Sequence, residues 1–154
     1  MRKRASLAIL LIAITAACIH KTGGPVSPWE RVNVNMAALA QINDDVAKGI
    51  IAAQQSGLIT TRQAAPILSY QESVAKDHTA LENILEAGSP QATTQTAEIQ
   101  ALLQEIQNQG TALIQSGGLG VKNPQSQQTF TQDLQGIVNL TEVILADFQT
   151  AKGN

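Results

Sequence analysis

The chain has 154 residues, 44% of them hydrophobic but only 3% aromatic, with ten Lys/Arg, twelve Asp/Glu and a single cysteine. One cysteine excludes an intramolecular disulfide and the paired-thiol attachment of a haem. Three of the basic residues are Arg2, Lys3 and Arg4, and every acid lies beyond Cys18. The rest of the chain therefore carries a net charge of about −5 and offers no basic patch for nucleic acid.

The basic cluster is followed by an uncharged run, Ala5 to Ala17, whose apolar centre is Leu7 to Ile14. That run is too short for a comfortable transmembrane helix, which needs about 20 apolar residues. A positive start, a short apolar centre and small residues at the end form the layout of an export signal, and the basic cluster stays on the cytoplasmic side. The junction Thr15-Ala16-Ala17-Cys18 resembles the lipobox of bacterial lipoproteins, with threonine where leucine is usual. The resemblance implies cleavage between Ala17 and Cys18, a diacylglycerol on the Cys18 thiol and acylation of its freed amine. It implies a cell-envelope location, and Ile19 in place of aspartate points to the outer membrane, facing the periplasm, in a diderm host. Three other readings compete: ordinary signal-peptidase cleavage after Ala17, a retained signal anchor, and Cys18 as a small buried hydrophobe.

The chain thus divides into a signal peptide (1–17), a lipidated cysteine with a flexible tether (18–27) and a helical bundle (28–151). At 3.3–3.6 Å per residue the tether reaches about 30 Å, which keeps the domain near the bilayer.

Four helical segments are predicted. Ser27-Pro28-Trp29-Glu30 reads as N-cap, proline at the first helical position and a capping glutamate. Val32, Met36, Leu39, Ile42/Asn43, Val46 and Ile50 follow at steps of three and four, up to a stop at Gly57. The second segment opens near Thr60 and carries Ile67, Tyr70/Gln71, Val74, His78, Leu81 and Leu85 before Gly88. Pro66 within it predicts a kink or a separate first turn. The third starts at Ser89-Pro90, with Ile99, Leu102/Leu103, Ile106, Gly110 and Leu113 ahead of Gly117-Gly118. The fourth starts at Asn123-Pro124 and has the most regular stripe: Phe130, Leu134, Ile137, Thr141, Ile144 and Phe148.

Long amphipathic helices of about 25–30 residues joined by short loops predict an all-α, antiparallel up-down-up-down four-helix bundle. Gly49, Gly110 and Gly136 fall inside helices, where each costs up to about 1 kcal/mol relative to alanine. Close helix approach is the expected compensation.

Few residues of the chain are spaced for chemistry. A di-iron bundle needs Glu-x-x-His pairs, and His78 is preceded three residues earlier by Ala75. His78 and Glu82 share a face and are the only metal-ligand candidates, although a histidine on an apolar stripe is ordinarily a core residue. Asp44-Asp45 lacks the aromatic platforms of a glycosidase cleft, and Asp44 is spaced to pair with Lys48. No serine has a recognisable base, and the glycines at 117–120 have no phosphate-loop continuation. No catalytic residue and no cofactor are expected. The expectation is a non-enzymatic, membrane-tethered bundle that serves as a binding, adaptor or structural module, with an envelope protein as partner. The alternative is a periplasmic ligand or metal carrier with its site between helices near His78.

Overall fold

The structure is a computed structural model and describes residues 26–86, 94–116 and 121–153. The leader, Cys18, most of the tether, the Ser89-Pro90 start and the glycine stops at 88 and 117–118 lie outside those residues. The described residues form four long helices: α1 (Pro28–Gln55), α2 (Thr61–Glu86), α3 (Thr96–Gln115) and α4 (Pro124–Lys152). Among the described residues there is no strand, and no helix is long and apolar enough to cross a membrane.

The helix ends are where the side chains dictate. Ser27 Oγ accepts from the Glu30 amide at 3.1 Å, and the Glu30 carboxylate accepts from the Ser27 amide at 2.8 Å, so two orphan donors are satisfied. At the other end Gly57 takes φ +74°, a conformation open to glycine without a Cβ penalty. There the Gly57 amide reaches the Gln54 carbonyl and the Leu58 amide reaches that of Ala53, a Schellman closure. Thr60 and Gln63 repeat the reciprocal capping at the start of α2, with amide-to-side-chain bonds of 2.8 and 3.3 Å. Asn123 Oδ1 caps α4 by accepting from the Ser126 amide.

One expectation, a kink or a separate first turn at Pro66, is narrowed, and one is corrected. The helix α2 runs unbroken from Thr61 through Pro66, so there is no separate first turn. A proline removes one backbone donor, and the Thr60–Gln63 cap holds the turn before it. The helix α3 has 20 residues rather than 25–30, and it starts at Thr96 behind Gln95, whose side chain makes no cap bond.

Around the bundle α1 packs on α2 and α4, and α3 packs on α2 and α4, so chain neighbours are also neighbours in space. Cross-helix pairs run in opposite senses along the chain (Met36 with His78 and Asn43 with Gln71; Gly110 with Val138 and Gln107 with Glu142), which makes the neighbours antiparallel. One core runs the length of the bundle. It contains Leu39, Ile50, Ile67, Leu81, Ile106, Leu134, Ile137 and Phe148, and the loop residues Ile59 and Val121 close it. Every stripe residue predicted on α4 is buried. The start of α1 is fastened to the end of α4: Arg31 Nε donates to Asp147 Oδ1 at 2.8 Å and Asn35 Nδ2 to Asp147 Oδ2 at 3.0 Å. Nearby the Trp29 and Phe148 rings meet edge to face at 5.9 Å.

Close approach explains Gly110 but not Gly49. A Cβ at Gly110 would stand 2.5 Å from Tyr70 Oη and 2.7 Å from Val138 Cγ2. The Tyr70 hydroxyl crosses that spot to donate to the Ile106 carbonyl at 3.1 Å. A Cβ at Gly49 meets nothing within 4 Å. Gly110→Ala is therefore expected to destabilise by about 1–3 kcal/mol through overpacking, whereas Gly49→Ala gains up to about 1 kcal/mol of helix propensity. Parallel urea titrations of the two variants check the opposite signs. Two shifts of the same sign would contradict the packing account.

Candidate functional site

The face between α1 and α2 holds two recesses. The larger is an open groove of about 540 Å3, walled by Ala40, Ala47, Ile51, Leu68, Val74 and Ala75, with Asn43, Gln71 and His78 among its polar lining. A hollow of about 390 Å3 lies nearer the start of α1, lined by Asn33, Met36, Ala37, Glu82 and Leu85. Small side chains on both helices leave these spaces, since alanine cannot fill the depth that leucine would. An open groove of this volume, with an apolar wall and a few polar groups, leaves room for a small molecule.

His78 sits between the two recesses with only 6% of its surface exposed. Its Nε2 lies 2.8 Å from the Met36 carbonyl oxygen, which can only accept, so Nε2 carries the hydrogen. Nδ1 lies 3.4 Å from a Glu82 carboxylate oxygen. The spacing of His78 and Glu82 on one face does bring the pair together. No third ligand joins them: among the described residues, no group of three or more His, Cys, Asp or Glu is placed to hold a metal ion. The role visible here is a buried tie from α2 to the α1 backbone, the ordinary outcome for a histidine on an apolar stripe.

Asp44 and Asp45 form no site. Asp44 is exposed and bonded to Lys48 one turn on, as the spacing predicts.

Compared with known proteins, the chain matches no family model, no curated protein and no solved structure. The reading of the site rests on its own residues.

Two of those residues were unremarkable as letters in a stripe. Asn43 and Gln71 are 7% and 3% exposed, and Asn43 Nδ2 donates to the Gln71 backbone carbonyl at 3.1 Å. Asn43 Oδ1 and both polar atoms of the Gln71 amide are buried without a partner. Each such group costs about 1–3 kcal/mol when removed from water unpaired. Both residues line the larger groove. The signal in the sequence was a polar residue at a core position of each helix. Their meeting depends on the register of α1 against α2, which no single-helix pattern reveals.

Asp77 is the other buried polar group with an unpartnered oxygen, Oδ2. Burial pushes its carboxyl above the ordinary value of 3.8, the Glu105 charge on α3 pushes the same way, and Lys76 opposes them. Between the ordinary and the raised value the folded chain keeps a proton that the unfolded chain has lost. Stability therefore falls as pH rises through that window. Asp77→Asn is expected to raise the melting temperature by a few degrees at pH 7, with the advantage shrinking as pH drops towards 3.8. Thermal melts across that range check this, and a constant difference would rule out ionisation as the cause.

Proposed function

We propose that the protein is a non-enzymatic cell-envelope lipoprotein, in which Cys18 carries the lipid and the four-helix bundle serves as a binding, adaptor or structural module beside the membrane. One observation carries the reading: a basic start, a short apolar run and small residues lead directly into the sole cysteine. The bundle is consistent with it, because a domain without a disulfide must rest on its core, and here one apolar core runs the length of the molecule. Multiple acyl chains give stable anchoring, whereas one alone is marginal. In a diderm host Ile19 directs the anchor to the outer membrane, with the bundle in the periplasm and an envelope protein as partner.

Mass spectrometry of the N-terminal peptide from the membrane fraction tests the anchor. The expected species begins at Cys18 and carries the mass of a diacylglycerol and an amide-linked acyl chain. An unmodified chain beginning at Cys18, or one still beginning at Met1, would refute it.

The α1–α2 groove supports a second reading, a ligand carrier whose site lies beside His78. The unpaired amides that line the groove favour an organic ligand there over a metal ion, for which His78 and Glu82 supply two donors only.

A further inference from the structure

We propose that the α1–α2 groove binds a neutral primary amide borne on a small apolar body, with the Gln71 and Asn43 side chains as its recognition groups. The inference rests on the ligand-carrier reading and names the ligand's chemistry.

Asn43 and Gln71 carry unspent hydrogen-bonding capacity. The Gln71 carbonyl can only accept, so its 3.1 Å contact fixes Asn43 with the amide nitrogen towards α2 and leaves Oδ1 without a partner. Gln71 contributes Nε2 and Oε1, both unpartnered, from a residue that is only 3% exposed. Together they are one donor group and two acceptor oxygens, on adjacent helices that line the same recess.

A ligand that complements this set supplies one acceptor and two N–H or O–H donors. A primary amide does so in one planar group. Its carbonyl oxygen accepts from Gln71 Nε2, one N–H donates to Gln71 Oε1 in the familiar cyclic amide pair, and the second N–H donates to Asn43 Oδ1. An alcohol has one donor and leaves an acceptor unsatisfied. A carboxylate has none, and it would bring its charge into an apolar recess beside Asp44 and Glu72. The rest of the ligand follows from the walls, which are alanine, valine, leucine and isoleucine, so an aliphatic body of modest size belongs there. Asn43 Oδ1 and both Gln71 amide atoms are sealed from solvent, so on this proposal the two side chains turn towards the groove as the ligand enters.

The same geometry separates a binding role from a packing role. If Gln71 merely fills space, Gln71→Leu keeps the volume and alters no binding. On the present reading Gln71→Leu gives a folded protein with a raised melting temperature, because an unpaired amide leaves the core, and it loses the ligand.

The test uses the purified full chain, labelled with 15N, titrated separately with hexanamide, hexan-1-ol and hexanoate while the Gln71 side-chain NH2 signals are followed. Hexanamide is expected to shift those signals saturably, with affinity about tenfold or more above that of the other two, and Gln71→Leu is expected to weaken hexanamide binding by a similar factor, read from backbone amide shifts along α1 and α2. If hexan-1-ol or hexanoate binds the groove as well as hexanamide does, the amide class is wrong while the carrier reading stands. If none of the three perturbs α1 or α2, both fall. Unchanged hexanamide binding by a folded Gln71→Leu protein would remove Gln71 from the recognition role.

Discussion

Replacing Cys18 with alanine is expected to move the protein almost entirely from the membrane fraction to the aqueous fraction. On the proposed lipidation, each buried methylene contributes about 0.8 kcal/mol, so two or three acyl chains on Cys18 would hold the domain at the bilayer. The alternatives to acyl anchoring are weak in this chain. No described helix is long and apolar enough to span a bilayer. The region beyond Cys18 is acidic, so anionic headgroups repel rather than attract it. Cell fractionation with salt and detergent washes reads the result. The wild-type chain should resist salt and yield to detergent, and the variant should need neither. The experiment also separates the competing accounts of the leader, because a retained signal anchor leaves both proteins on the membrane and ordinary cleavage after Ala17 leaves both in the aqueous fraction.

The second large effect is expected at Phe148. Its side chain is fully buried, and Phe148→Ala should destabilise the bundle by about 3–5 kcal/mol through lost transfer energy and the cavity left behind. The edge-to-face contact with Trp29 disappears with the ring. Against a total stability of about 5–15 kcal/mol for a typical domain, this one truncation is a large fraction of the whole. Urea unfolding gives the magnitude. Trp29, the only tryptophan, gives the location, since its emission should change in the folded baseline. Phe148→Leu, which keeps most of the volume, should cost much less. Equal losses for leucine and alanine would mean that the ring contact, rather than the filled space, dominates.

What could be read from the letters follows the range of the interaction concerned. The Ser27–Glu30 box, the Gly57 stop and the Asn123 cap were legible because a helix end is decided within about four residues, all of them in view. The stripes were legible for the same reason, since one face of a helix repeats every three or four positions. The start of α3 was not, because Gln95 offers no capping bond to mark it. Gly49 and Gly110 look alike as letters, and only the arrival of Tyr70 from another helix distinguishes them. The groove was hidden likewise: Asn43 and Gln71 each read as a polar interruption in a stripe, and their unpaired atoms emerge only once α1 and α2 are set side by side.

The fastening of Arg31 to Asp147 joins residues 116 positions apart. A chain leaves the ribosome N-terminus first. The first helix must then wait, with one apolar flank uncovered, until almost the whole sequence has followed it. Closure of so wide a loop carries a chain-entropy cost that the local contacts within each helix do not. Completion of the last helix is what covers that flank.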